Sequence, residues 1–243
     1  MIWAYVRIEL LRVLRDPALM FFVAVLPVLI FVGMSLGLAP MVGDDTVRDV
    51  EAFLMVGMAA YGAATASANI AGQAAIDRLS GWGRQLALSP LTDRAYVAAK
   101  AVVSMAVALV PIVGTFVAGS ILGVRADPGR WWASAVFLGV ASLPWGAFGL
   151  AVGLAFRSAS ALTIATGSLV VLAFLGSTFF PLPGMFGMIA AFSPLHGFVG
   201  LARQLFGVGE DESLIVLVAG SVVWSTLFCL AALQAVRSRR STR

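Results

Sequence analysis

The chain alternates long apolar runs with short polar segments, and its charges are divided unevenly among those segments. When successive polar segments are assigned to alternate sides of a membrane, twelve of the 16 basic residues fall on one side and eight of the 12 acidic residues on the other. This leaves +8 on the first side and −4 on the second. An excess of Lys and Arg marks the cytoplasmic side of a multispanning protein. The pattern therefore predicts an all-α membrane protein whose cytoplasmic side carries Arg7, Arg12, Arg15, Arg78, Arg84, Arg94, Lys100, Arg157, Arg237, Arg239, Arg240 and Arg243.

The composition supports a membrane domain. Of the 243 residues, 60% are hydrophobic and 12% are charged, whereas a soluble domain is typically about 25% charged. No polar block is large enough for a soluble domain, so residues 1–243 are predicted to form a single transmembrane domain. The basic residues are explained by anionic headgroups, and no nucleic-acid partner is predicted. The single cysteine, Cys229, excludes an intramolecular disulfide.

Residues 1–16 are predicted to form an amphipathic helix. At about 100° per residue, apolar side chains share one arc and polar side chains the opposite arc. The Asp16-Pro17 step favours a break before the first span, so the helix is predicted to lie in the cytoplasmic interface among lipid headgroups. The apolar arc contains Ile2, Trp3, Val6, Leu10, Val13, Leu14 and Pro17, and the polar arc contains Tyr5, Glu9, Arg12, Arg15 and Asp16.

Six apolar runs are long enough to cross a membrane, since about 20 helical residues span the hydrocarbon core. The first run exceeds the ~7–15 residues of a signal-peptide core, so it is predicted to remain as a span. Pro27, Pro111 and Pro144 interrupt three of the runs, and neighbouring helices can satisfy the freed carbonyl groups. Both termini are then cytoplasmic. The predicted spans are 17–39, 52–74, 97–122, 131–156, 159–180 and 213–236.

Span two carries small residues at steps of four, a spacing that lets helices approach closely. Asn69 and Gln73 add a polar pair near its inner end. Two interpretations remain open for these features: helix packing within the chain, or a dimer seam or polar transport path. The two small-residue series are Ala59, Ala63, Ser67, Ala71 and Ala75, and Ala60, Ala64, Ala68 and Gly72; further pairs are Gly33/Gly37, Gly119/Gly123 and Gly149/Gly153.

Two connecting regions are informative. The cytoplasmic connector 76–100 is too long for a tight turn and too short for a domain. Trp82 lies there between Arg78 and Arg84, and an aromatic residue among charges suits docking to a partner, although a solvated loop is the alternative. The outer region 181–212 is too apolar for a free loop. We expect it to form two short re-entrant half-helices in the outer leaflet, because irregular backbone at that depth must be buried in protein or line a cavity.

Several kinds of chemistry are missing from the sequence. A phosphate-binding loop needs a lysine after glycine, but Lys100 follows Ala99 and no other lysine is present. One histidine and one cysteine argue against a metal site. No acid lies in the middle of a predicted span, which disfavours ion-coupled transport and acid–base catalysis.

One pattern indicates a different function. Gly33-Met34-Ser35-Leu36-Gly37 fits G-x-S-x-G, and His196 follows later in the chain. In a soluble hydrolase this serine lies on a strand-to-helix elbow, whereas here it lies in a predicted span. An intramembrane serine protease of rhomboid type is the corresponding alternative, although rhomboids place the serine in a middle span.

Three stretches occur in an informative order. The first runs from Glu9-Leu10-Leu11-Arg12 to Arg15-Asp16-Pro17. The second contains Gly81, Leu86, Ser89-Pro90-Leu91, Arg94 and Lys100. The third contains Phe179-Phe180-Pro181-Leu182-Pro183, Ser193-Pro194-Leu195 and Leu201-Ala202-Arg203. In this order, over essentially the whole chain, they resemble a type-2 ABC exporter permease, closest to the drug-resistance permeases. The second stretch departs from the family pattern, since Asp77-Arg78-Leu79-Ser80-Gly81-Trp82 replaces a Glu-rich turn and a Gly-Thr pair.

The resemblance implies a non-catalytic transport subunit in a bacterial cytoplasmic membrane. It implies a second permease copy and separate ATP-binding subunits that hold ATP and Mg²⁺, so this chain is expected to bind no cofactor. Segment 76–94 would dock the ATPase and a hydrophobic or amphipathic substrate would be exported; an ATP-independent carrier or scaffold is the alternative. The expected docking residues are Asp77, Arg78, Trp82, Arg84, Leu86 and Arg94, and the candidate path or dimer-seam residues are Asn69, Gln73, Ser67, Phe179 and Phe180.

Overall fold

The computed structural model describes residues 2–38, 44–79, 93–156, 158–182, 184–209 and 212–237, apart from the side chains of residues 2, 38, 44–48, 78, 79 and 93–98. Every regular element in these ranges is helical. The helices are α1 (Ile2–Leu14), α2 (Pro17–Met20), α3 (Leu26–Leu38), α4 (Asp44–Leu79), α5 (Asp93–Leu122), α6 (Pro128–Ala141), α7 (Leu143–Phe156), α8 (Ala159–Leu175), α9 (Met185–Ala190), α10 (Pro194–Phe206) and α11 (Leu214–Arg237).

Five segments of the described chain are long and apolar enough to cross a membrane: Pro17–Gly37, Asp49–Asp77, Ala99–Leu122, Pro128–Phe156 and Leu214–Arg237. The fifth predicted span, 159–180, is shorter than expected, because α8 ends at Leu175 after 17 residues. The helix stops where Gly176 caps it and Ser177 takes a positive φ of 56°. Phe179 and Phe180 therefore lie beyond the helix, in an irregular turn.

Prolines shape the helices in three ways. Pro27 follows a π-helical segment, Phe21–Val25, which rearranges the backbone hydrogen bonds just before it. Pro111 lies inside α5, which continues through it; there the Thr115 hydroxyl donates to the Pro111 carbonyl at 2.7 Å. Pro144 lies in the first turn of α7, which begins at Leu143 after a break at Ser142. The span predicted at 131–156 is therefore two helices that together begin at Pro128.

Helix α4 lies at the centre of the bundle and packs mainly on α5 and α7. Gly149 and Gly153 of α7 lie directly against the α4 backbone, and a Cβ atom at either position would overlap a carbonyl oxygen of Ala68 or Gly72. The small residues of α4, including Ala59, Ala63 and Ala75, are buried. These residues therefore bring helices together within the chain.

Helix α1 packs on the beginning of α5. Its buried face differs from the predicted apolar arc, because it consists of Val6, Glu9 and Val13. Trp3 and Leu14, which belong to that arc, are exposed. Glu9 was expected on the polar arc but faces the bundle, where a basic partner compensates its charge.

Helices α9 and α10 precede α11. Gly197 and Gly200 let α10 approach α11 closely, with Leu217 as the common contact. The indole Nε1 of Trp224 in α11 donates to the Phe192 carbonyl, between α9 and α10, at 3.2 Å. At its far end, α10 packs Phe206 against both Phe116 and Trp131, with T-shaped ring contacts of 6.1 and 5.3 Å. These contacts hold α10 against three neighbouring helices.

Candidate functional site

Two ion pairs gather at one end of the bundle, which we call the α1 end. The Lys100 ammonium of α5 binds the Glu9 carboxylate of α1, and both residues are buried. One turn further along α1, Arg12 binds Asp77 of α4 at 3.3 Å, with the arginine side chain well exposed. Helix α1 thus contacts the chain on both flanks of the predicted docking segment.

Most of the predicted docking residues lie outside the described part of the chain. This holds for Trp82, Arg84 and Leu86, and for the side chains of Arg78 and Arg94. Asp77 is described, and its partner is Arg12. The structure therefore defines where the segment leaves α4 and enters α5, and the docking role stays a prediction.

A polar stripe follows the partly exposed side of α4. Thr65 Oγ1 donates to the Tyr61 carbonyl at 2.9 Å, and Asn69 Nδ2 donates to the Thr65 carbonyl at 3.0 Å. Gln73 continues the spacing of four residues and is exposed. We call Tyr61, Thr65, Asn69 and Gln73 the α4 stripe. Asn69 and Gln73 were predicted from the sequence, whereas Tyr61 and Thr65 were not, although the same spacing of four residues would have revealed them.

The other three predicted path residues are not equivalent. Ser67 is fully buried on the opposite side of α4, where its hydroxyl lies 2.8 Å from that of Ser104. Phe179 is buried against Tyr61, with ring centroids 5.6 Å apart. Phe180 is partly exposed. The structure therefore joins Phe179 to the α4 stripe and places Ser67 in the contact with α5.

Arg203 lies buried at the opposite end of the bundle, the α10 end. Its guanidinium donates to the carbonyl groups of Ser177 at 3.0 Å, Thr178 at 2.6 Å and Phe53 at 3.2 Å. Its Cζ atom also lies 3.1 Å from the centroid of the Phe53 ring. One side chain thus joins α4, α10 and the turn after α8. Arg203 belongs to the third stretch that carries the family resemblance, but its role in joining these elements was not predicted.

A cavity of about 420 Å³ opens beside Phe53 at the α10 end. Its walls are mainly apolar and come from the beginning of α4, the turn after α8 and the end of α10. One carboxylate, Asp49, contributes to the lining. The lining residues are Asp49, Val50, Phe53, Phe179, Phe180, Pro181, Gly207, Val208 and Gly209.

His196 of α10 and Glu212, which lies just before α11, form an ion pair outside the five candidate spans. His196 Nε2 lies 3.3 Å from Glu212 Oε2, and its Nδ1 lies 3.2 Å from the Gly176 carbonyl. Burial lowers the pKa of His196, but the hydrogen bond and charge of Glu212 outweigh burial and the charge of Arg203, so the pKa is raised. The hydrogen bond from His196 lowers the pKa of Glu212 despite its burial.

The pair should therefore stabilise the fold most in mildly acidic solution. The His196 contribution is complete below its ordinary pKa of 6.5 and is lost as pH rises through the raised value. The Glu212 contribution is complete above 4.5 and is lost as pH falls through the lowered value. We expect Glu212→Gln to lower the thermal midpoint more at pH 5.5 than at pH 8.5. An equal decrease in the thermal midpoint at both pH values would contradict the stabilising role of the His196–Glu212 ion pair.

The structure does not assemble the serine–histidine pair that a rhomboid-type protease needs. Ser35 is buried in α3, and its hydroxyl has no hydrogen-bond partner among the described residues. Both ring nitrogens of His196 are instead engaged by Gly176 and Glu212. Among the described residues, no group of three His, Cys, Asp or Glu side chains could hold a metal ion.

These features define a multi-pass helical membrane protein. The sequence profile of the ABC-2 family transporter proteins matches residues 33–233. The chain belongs to this ABC-2 family. A Bacillus subtilis (strain 168) protein named "Putative transport permease YvfS" is 24% identical over 226 residues, which is 90% of this chain and 91% of the relative. The resemblance to an ABC permease is therefore confirmed, and members of this family are generally non-catalytic membrane subunits of transporters.

Proposed function

We propose that the chain is the membrane subunit of an ATP-binding-cassette exporter in a bacterial cytoplasmic membrane. It would move a hydrophobic or amphipathic substrate outward with ATP hydrolysed on a separate subunit. The ABC-2 profile match over residues 33–233 carries the proposal. The sequence supports the division of labour, because its single lysine, Lys100, is not in a phosphate loop. ATP and Mg²⁺ would therefore bind the partner.

The proposed topology is one transmembrane domain, 1–243, with six crossings and the α1 end in the cytoplasm. The ion pairs of Glu9 and Arg12 with the inner ends of α4 and α5 support an interfacial position for residues 1–16. Helix α8 is the shortest crossing, because 17 residues extend about 26 Å. The irregular turn after it would complete that crossing while buried against α10.

We propose that region 181–212 re-enters the membrane from outside. Trp224 lies ten residues after the start of α11, which corresponds to about 15 Å along the helix. Its hydrogen bond to the Phe192 carbonyl supports placing the turn between α9 and α10 at that depth. Ser193 and His196 form side-chain hydrogen bonds with two carbonyl groups at the end of α8. These bonds satisfy backbone carbonyl groups to which lipid could not donate.

The substrate path would follow the α4 stripe on the face shared with a second permease copy. The stripe places the hydroxyl and amide groups of Tyr61, Asn69 and Gln73 on a helix that is otherwise packed by small apolar residues. This combination suits an amphipathic molecule. Phe179 and Phe180 would continue the path toward the cavity at the α10 end, and Ser67 would hold α4 against α5 beside it.

Segment 76–94 would bind the ATP-binding subunit through Asp77, Arg78, Trp82, Arg84, Leu86 and Arg94. Because buried aromatic anchors and Arg often dominate interfaces, the combination Trp82→Ala with Arg84→Glu should weaken binding by about 2 kcal/mol or more, roughly 30-fold. Co-purification of the two subunits and ATP hydrolysis by the complex measure this effect. The matched control, Trp132→Ala with Arg125→Glu, changes exposed residues at the other end of the bundle.

Two outcomes would contradict these proposals differently. A double variant at Trp82 and Arg84 that assembles and hydrolyses ATP like the wild type would contradict the docking assignment alone. A wild-type chain that binds no ATP-binding subunit and transports without one would contradict the exporter function and support an ATP-independent carrier.

A further inference from the structure

The position of α1 beside the docking segment leads to an inference about how movement of the docked ATPase is transmitted to the membrane spans. This inference rests on the proposed function. Asp77 lies near the end of α4, where the docking segment 76–94 begins, and Lys100 lies near the start of α5, after the segment ends. Helix α1 binds both residues, through Arg12 and Glu9 respectively. Since Glu9 and Arg12 are three positions apart, they lie on neighbouring parts of one helix surface. A single helix therefore joins the inner end of α4 to the inner end of α5.

Helix α1 is also tied to the first span. Asp16 follows α1 and caps α2, where the Leu19 amide donates to its carboxylate at 3.0 Å. Helix α2 continues through the π-helical segment into α3. A displacement of α1 must therefore reach the first span, and a displacement of the docking segment must reach α4 and α5.

The two ion pairs differ in the strength that their surroundings allow. Arg12 and Asp77 have side chains 63% and 26% exposed, and such a pair holds weakly because water and salt screen it. Glu9 and Lys100 have side chains 10% and 8% exposed, so water and salt screen their attraction little, and breaking a buried pair is strongly destabilising. Of the two contacts, the Glu9–Lys100 pair is the one that can resist a pulling motion.

We propose that the Glu9–Lys100 pair is the joint through which movement of the docked ATPase reaches α1 and the first span. Glu9 and Lys100 are positioning residues: they contact neither nucleotide nor substrate. With the joint intact, α1 and the inner ends of α4 and α5 move together with the docking segment. Without it, the segment moves on the ATPase while α1 and the first span stay behind.

The test uses the complete complex and requires no identified substrate. Hydrogen exchange of α3, in the first span, is compared in the nucleotide-free state and after trapping with ATP and vanadate. In Glu9→Gln, co-purification and basal ATP hydrolysis should remain, while the ATP-induced change in α3 is lost. Arg7→Gln is the matched control, because Arg7 lies exposed on the same helix, and it should leave the change intact.

The exchanged pair, Glu9→Lys with Lys100→Glu, separates coupling from folding. It should restore the response of α3, and it provides the test even where a single variant fails to fold. A wild-type response in Glu9→Gln, or an exchanged pair that assembles and hydrolyses ATP without the response, would overturn the joint. A wild-type chain that binds no ATPase would overturn the exporter function as well.

Discussion

Replacing Arg203 with methionine is expected to lower the apparent free energy of unfolding by about 3 kcal/mol or more, since hydrogen bonds to a charged group contribute about 1.5–3 kcal/mol each. The Arg203 side chain is buried and donates to the carbonyl groups of Ser177, Thr178 and Phe53. Methionine fills similar space without donors. The carbonyl groups of the turn after α8 would then remain buried without these donors.

Thermal unfolding in detergent measures this effect. The thermal midpoint of Arg203→Lys should lie between those of the wild type and Arg203→Met. An ammonium group keeps the charge, but it lacks the planar fork with which a guanidinium reaches carbonyl groups in several directions. Arg125→Met removes an exposed arginine and serves as the control. Equal midpoints for Arg203→Met and Arg125→Met would show that the turn after α8 does not depend on the guanidinium.

The second large effect is expected at Gly149, where α7 crosses α4. A Cβ atom there would overlap the Ala68 carbonyl oxygen, which belongs to helical backbone and cannot rotate away as a side chain would. The two helices must therefore separate. We expect Gly149→Ala to lower stability by at least the ~1–3 kcal/mol typical of an overpacked core, and Gly149→Val to lower it further.

The control for Gly149 lies in the next helix. A Cβ atom at Gly167 of α8 meets no atom within 4 Å, so Gly167→Ala should leave stability unchanged or raise it by up to about 1 kcal/mol through helix propensity. Thermal unfolding and the yield of folded protein in detergent distinguish the two variants. A tolerated Gly149→Val would disprove the close approach of α7 to α4.

Much of the helical architecture was predictable because its signals are local. Long apolar runs identify candidate spans wherever they occur, and the described part of the chain contains five of them with α8 as a shorter sixth apolar helix. The end of α8 was misplaced because Phe179 and Phe180 are apolar. The hydropathy of the sequence does not indicate that the backbone turns at Gly176 and Ser177.

The candidate site was less predictable than the spans. Asn69 and Gln73 were found because polar residues are conspicuous in an apolar helix. Ser67 was grouped with them because it is also polar, although it lies two positions before Asn69, which places it about 160° away around the helix. Arg203 was overlooked as a site residue because its carbonyl partners are distant in the chain; its Phe53 partner lies 150 positions away.

Sequence alone therefore determined the order of the apolar runs, the uneven charge of the polar segments and the lack of a phosphate loop, since each depends on neighbouring residues. Only the tertiary structure decided that Glu9 faces Lys100, 91 positions away, and that Arg203 closes the turn after α8. The physical reason is that apolar side chains in a membrane face both lipid and protein. Hydrophobic periodicity therefore says little about which face of a helix is buried in the protein. Close contacts, such as Gly149 against Ala68, instead set the positions of the helices, and those positions bring distant charges and carbonyl groups together.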